Sequence, residues 1–167
     1  MFLGFEDAFT DLQSEVVSLC LEFLANANVK AEKIYIYIYQ TKRQRMFNAF
    51  FNVGGSVVSA GEIGTEEQSD EFLDVGTDDI ERLIALCDKY QHPCPNEFKL
   101  VYDVKSKNFD SHYGYEDYYE KDEVDSVDVF LEWIKVVKKE NQLLRYNMIE
   151  KTNNDFKFTI VIYSCII

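Results

Sequence analysis

Six consecutive residues constrain this chain more than any others: Ile34, Ile36 and Ile38 alternate with Tyr35, Tyr37 and Tyr39. A period of two built from β-branched and aromatic residues is a strand, and here both of its faces are apolar. Either helices cover the tyrosine row, or that row is a surface for another molecule. Upstream, Leu12, Val16, Leu19, Cys20, Phe23, Leu24 and Ala27 recur at three- and four-residue steps, which places them on one face of an amphipathic helix. Asp7 or Thr10 is positioned to cap its start, and the region Asn26 to Asn28 to end it. Downstream, a polar turn from Gln40 to Gln44 leads to a strand in which Phe47, Ala49, Phe51 and Val53 share a face. Gly54-Gly55 is a hairpin signal, and Ser56 to Ala60 is the returning strand.

Residues 61 to 79 read as an acidic loop with Gly61, Gly64 and Gly76. Thr77 or Asp78 then caps a second helix with Ile80, Leu83, Ile84 and Cys87 on its apolar face. That helix stops at His92-Pro93-Cys94-Pro95, because proline cannot continue it. A second hairpin follows: Phe98, Leu100 and Tyr102 face one way, Asp103 to Asn108 turn, and Phe109, Ser111, Tyr113 and Tyr115 return. Asp125 or Ser126 caps a third helix, with Val127, Phe130, Leu131, Ile134 and Val137 inward. The order α-β-β-β-α-β-β-α, with consecutive hairpins, predicts an α+β fold: an antiparallel sheet of about five strands with helices packed on it. Residues 1–140 form one domain and 141–167 an extension. Within that extension Phe156 to Ile167 is β-prone, either an added edge strand or a sticky terminus.

The chain has 167 residues, of which 47% are hydrophobic and 15% aromatic, enough to bury a core and incompatible with disorder. Charge is the outlying quantity. Thirty Asp and Glu against 17 Lys and Arg give a formal net charge of -13. A chain this acidic repels phosphate backbones and anionic membrane surfaces, so neither nucleic acid nor a membrane is an expected partner. A basic protein would be drawn in. Met-Phe-Leu-Gly-Phe-Glu-Asp at the start has neither the basic region nor the apolar run of a signal peptide. Cys20, Cys87, Cys94 and Cys165 include no CxxC pair, and a cytoplasmic location is the expectation.

A search for reaction chemistry yields little. His92 and His112 have no second ligand at metal-binding spacing. No nucleophile elbow, phosphate loop, dinucleotide fingerprint or EF-hand spacing occurs, and no carboxylate stands out as a general acid. The reading is therefore a non-enzyme without cofactor or metal. The acids, by contrast, are clustered. Between Met46 and Glu81 there is no Lys or Arg, while Glu62, Glu66, Glu67, Asp70, Glu71 and Asp74 fall in one stretch. Asp117, Glu120, Asp122 and Glu123 form a second cluster. Solvated helix N-termini explain some acids, such as Asp78 and Asp125, but explain Glu62 to Asp74 poorly. These ten carboxylates are the candidate partner-binding residues. Tyr35, Tyr37 and Tyr39, or Tyr113, Tyr115, Tyr118 and Tyr119, are candidate aromatic anchors.

The second hairpin carries a family resemblance. Pro95, Glu97 and Lys99 on one strand, Tyr102-Asp103 before a Lys-rich turn, Tyr113 and Tyr115 on the next strand, and Trp133 in the last helix resemble the signature of YezG-like immunity proteins. The resemblance is strongest over residues 78–139; Asn96 stands where threonine is usual, and Gly114 replaces a larger residue. It implies an antitoxin that binds and neutralises a cognate toxin domain, often a nuclease, in the cytoplasm. Together with the charge, this gives a reading of steric and electrostatic occlusion. The alternative is a non-enzymatic adaptor that docks through its hydrophobic C-terminal tail.

Overall fold

The computed structural model describes residues 4–118 and 124–164, with side chains as far as Ile149 and at Lys151. Its elements are α1 (Phe5–Asn26), β1 (Lys33–Gln40), β2 (Arg45–Val53), β3 (Ser56–Ser59), α2 (Ala60–Ile63), α3 (Glu66–Lys89), β4 (Glu97–Asp103), β5 (Phe109–Gly114) and α4 (Ser126–Ser164). The fold is α+β, and the five strands form one antiparallel sheet in the order β3-β2-β1-β4-β5.

β1 is the central strand, which is why its six alternating residues are all buried. On one face Ile34, Ile36 and Ile38 lie between Phe51, Ala49 and Phe47 of β2 and Tyr102, Leu100 and Phe98 of β4. α1 and α3 cover that face with Val16, Cys20, Phe23, Phe72, Ile80 and Leu83. On the other face the tyrosines pack beneath α4. Trp133 stands edge-on to Tyr35 with ring centroids 5.9 Å apart, and Phe130 lies 5.7 Å from Tyr37. The tyrosine row is thus interior, and the expectation that it serves another molecule is overturned: full burial of each aromatic ring is worth roughly 2–3 kcal/mol, and α4 supplies the cover.

Local signals explain most boundaries. Gly54 and Gly55 both adopt positive φ, 57° and 75°, as a two-residue hairpin turn requires. Asn28 closes α1 in the left-handed region at φ 55°, and Val29 N–H donates to the Leu24 carbonyl. Asp125 caps α4, its Oδ1 accepting from Val127 N–H at 2.8 Å. The start of α1 differs from expectation: the helix begins at Phe5 after Gly4, and Asp7 and Thr10 lie inside it.

The larger differences lie in two helices. The stretch expected to be a loop is the one-turn helix α2 followed by α3, which begins at Glu66 rather than near Thr77. Thr65 and Gln68 cap α3 reciprocally: Gln68 N–H donates to Thr65 Oγ1 at 3.3 Å, and Thr65 N–H to Gln68 Oε1 at 2.9 Å. The fully buried positions of its first half are Ser69, Phe72 and Gly76, of which only Phe72 is a large apolar residue. α4 departs too. It runs unbroken across residue 141 to Ser164, so the segment from Phe156 to Ser164 is helix and not an edge strand. At 39 residues it is ~58 Å long and overshoots the sheet. Arg145 donates to the Gly54 carbonyl at 2.7 Å and fastens α4 to the β2–β3 hairpin. Val127 and Leu131 face outward, while Ser126, Phe130 and Val137 are the buried positions.

Gly76 yields a prediction. In an open helix Gly→Ala stabilises by about 1 kcal/mol. Here a Cβ at Gly76 would overlap the buried ring of Phe47. Gly76→Ala should therefore destabilise the protein by roughly 1–3 kcal/mol, seen as a lower midpoint in urea unfolding. A raised midpoint would show that α3 does not approach β2 so closely.

Candidate functional site

α1 carries Glu6, Asp7, Asp11, Glu15 and Glu22 and no lysine or arginine. α3 carries Glu66, Glu67, Asp70, Glu71, Asp74, Asp78, Asp79, Glu81 and Asp88 against Arg82 and Lys89. Fourteen acids and two bases give these two helices a formal charge of -12, nearly the whole of the chain's -13. They lie side by side on the isoleucine face of the sheet, so the charge forms one layer.

Part of the layer is neutralised locally. Arg82 bridges the helices, pairing with Glu15 of α1 and with Asp79 at 2.9 Å, and Arg45 of β2 pairs with Glu81. Glu66, Glu67, Asp70, Glu71, Asp74 and Asp78 are exposed, and among the described residues none of them has a cation partner. Glu67, Glu71, Asp74 and Asp78 follow steps of four, three and four and so share one stripe of α3. The helix dipole favours acids only in the first turn, which accounts for Glu66 and Glu67. Farther along, like charges four apart cost roughly 0.2–0.5 kcal/mol per pair, and among the described residues Asp70, Asp74 and Asp78 form no ion pair.

The other candidate carboxylates have structural partners or lie outside the described residues. Glu62 Oε2 accepts from the backbone N–H and the hydroxyl of Ser59, both at 2.7 Å. Those bonds, the backbone one first, hold its carboxyl below the usual range. Asp117 accepts from the Tyr39 hydroxyl at 3.2 Å. Glu120, Asp122 and Glu123, with Tyr119, lie outside the described residues. In the second tyrosine group, Tyr113 donates to Gln13 Oε1 at 2.9 Å, Tyr118 is partly buried, and Tyr115 is exposed.

Three residues of the hairpin signature converge beneath α4. Glu97 is buried, with Oε1 3.2 Å from Lys99 Nζ and Oε2 accepting from the Tyr118 hydroxyl at 3.1 Å. The Lys99 ammonium lies 6.0 Å from the Trp133 ring centre. Tyr118 N–H in turn donates to the Tyr39 hydroxyl at 3.1 Å. The network pins the segment after β5 to the sheet and explains why Glu97, Lys99 and Trp133 occur together. The spacing of the sequence gave no sign that Tyr118 belongs to it, since nothing local ties a residue beyond β5 to one at the start of β4.

Among the described residues there is no cluster of three or more metal-ligating side chains. Burial pushes the Cys20 and Cys87 thiols upward and that of Cys94 up to about 12. His92 is stacked on Phe5, with ring centroids 4.1 Å apart. Among the described residues no helix is long and apolar enough to cross a membrane. No family model matches the sequence, and no curated protein matches it.

Burial, and then the charge of Glu97, push the Tyr118 hydroxyl up to about 12 and raise that of Tyr37 as well. A folded-state pKa above the unfolded value of about 10 gives stability that is complete below pH ~10 and lost as pH rises through 12. Denaturant midpoints should fall between pH 10 and 12, and fall less in Tyr118→Phe. An identical alkaline loss in that variant would remove Tyr118 from the effect.

Proposed function

We propose that this protein is an immunity protein: it binds the toxic domain of a cognate toxin and neutralises it by occupying a basic surface. The observation that carries the reading is the -12 layer of α1 and α3, with its exposed and uncompensated carboxylates. A basic cleft that binds nucleic acid is the natural complement of such a layer, so a nuclease domain is the expected class of toxin. Carboxylates held on a rigid helix take the place of substrate phosphates, raise the encounter rate and block the cleft together. The resemblance of the second hairpin to YezG-like immunity proteins points the same way. In this reading the protein acts in the cytoplasm, by binding alone. The acidic surface belongs to a helix, so the contact is made by a preformed face, with no loop to order on binding.

The test is coexpression with the C-terminal domain of the protein encoded immediately upstream. That domain should be toxic alone and harmless with this chain, and the two should elute as one complex. Charge reversal at Glu67, Glu71, Asp74 and Asp78 to Lys should slow association at least tenfold at low salt while leaving the thermal midpoint unchanged or higher. Reversal of Glu132 and Glu140 on α4 should change the association rate little, whereas reversal of Glu71 and Asp74 alone, equal in number, should slow association several-fold. Equal association rates for these two double variants would overturn the reading.

A further inference from the structure

Between α1 and α3 runs a groove of about 170 Å³. At ~30 Å³ per water it has room for about six water molecules, well below the 300–1,000 Å³ of small-molecule sites. The size suits one long side chain. Its floor is aromatic: Phe23 and Phe72 stack with centroids 4.5 Å apart and an interplanar angle of 25°. Leu19 and Val75 extend the apolar surface, and Val75 is 42% exposed. One end is closed where Gln68 Nε2 donates to the Asn26 carbonyl at 3.4 Å. Glu22 from α1 and Glu71 from α3 also line it, and among the described residues neither has a cation partner.

We infer that this groove seats one arginine side chain projecting from the surface of a protein partner. The inference rests on the function proposed above and names the anchor through which that contact is made. An arginine's methylene stem suits the apolar surface of Leu19 and Val75 over the nearly buried rings of Phe23 and Phe72, with the guanidinium left at the rim. Its fork of five donors reaches two carboxylates on different helices, which a lysine ammonium does as a single point. An uncharged apolar side chain would leave Glu22 and Glu71 partly desolvated without a counter-charge, and an acidic one would be repelled by the whole layer. Charge and shape therefore select the same occupant.

The probe is the capped tripeptide acetyl-Gly-Arg-Gly-amide, titrated into the full-length protein and followed by methyl and amide NMR. Saturable shifts are expected at the Leu19 and Val75 methyls and the Gln68 side-chain amide. Binding of the lysine analogue should be at least fivefold weaker, and the neutral citrulline analogue should leave these signals unmoved. Glu22→Gln with Glu71→Gln should weaken binding at least tenfold; Glu132→Gln with Glu140→Gln should leave it unchanged. Equal response to arginine and lysine, or binding that survives the first double variant, overturns the assignment. The titration contains no toxin, so its failure is separable from failure of the neutralisation test. Full neutralisation by the Glu22→Gln, Glu71→Gln protein with association slowed less than twofold would refute the anchor while the broader function stood.

Discussion

Burial of β1 on both faces is the constraint from which the rest of the architecture follows. A central strand with isoleucines on one side and tyrosines on the other leaves no face for water, so each side must acquire a helical layer. The isoleucine side takes two helices packed closely enough for Gly76 to meet the Phe47 ring. The tyrosine side takes one long helix whose Phe130 and Trp133 fill the spaces between rings. The buried Glu97 carboxylate is held inside by Lys99 and the Tyr118 hydroxyl.

Separating the helices into two layers also separates the charge. α4 carries Asp128, Glu132, Glu140, Glu150 and Asp155 against Lys135, Lys138, Lys139, Arg145, Lys151 and Lys157, a formal +1, while α1 and α3 together carry -12. On the proposed function, a basic partner would meet one attractive side, and its approach would be oriented before contact. With a screening length of about 8 Å at physiological salt, that orientation acts over the last few ångströms, where docking is decided. The groove between Glu22 and Glu71 lies inside the same layer, so in that reading steering and anchoring would use one surface.

The sheet and its helices were legible because their signals are local. The alternation of Ile34 to Tyr39, the Gly54-Gly55 turn and the proline stop at Pro93 each act within a few residues. α3 was legible only in its second half, where Ile80, Leu83 and Cys87 mark the buried face. In its first half Gly76 is inward because a larger residue would meet the Phe47 ring of β2, and Ser69 is inward with its hydroxyl on the Ala60 carbonyl, so the apolar period is interrupted. The capping pair Thr65 and Gln68 was the available signal for its start. Reading 62–74 as a loop gave its six acids the wrong form: five of them, Glu66, Glu67, Asp70, Glu71 and Asp74, belong to a helical surface, and Glu62 caps α2. The contributions of Glu15 and Glu22 from α1 depend on which helix lies beside α3, and that is set by the sheet order rather than by any motif. The covering of the tyrosine row by α4 is likewise a matter of tertiary packing.

Carboxyl footprinting of the complex with the toxic domain tests the central claim most directly, because it reports side by side on every acid of both layers. Labelling with a carbodiimide and glycine ethyl ester, read by mass spectrometry, should be suppressed on complex formation at Glu22, Glu67, Glu71, Asp74 and Asp78 and unchanged at Glu132 and Glu140. Protection confined to α4, with the acids of α1 and α3 labelled as in the free protein, would contradict the account.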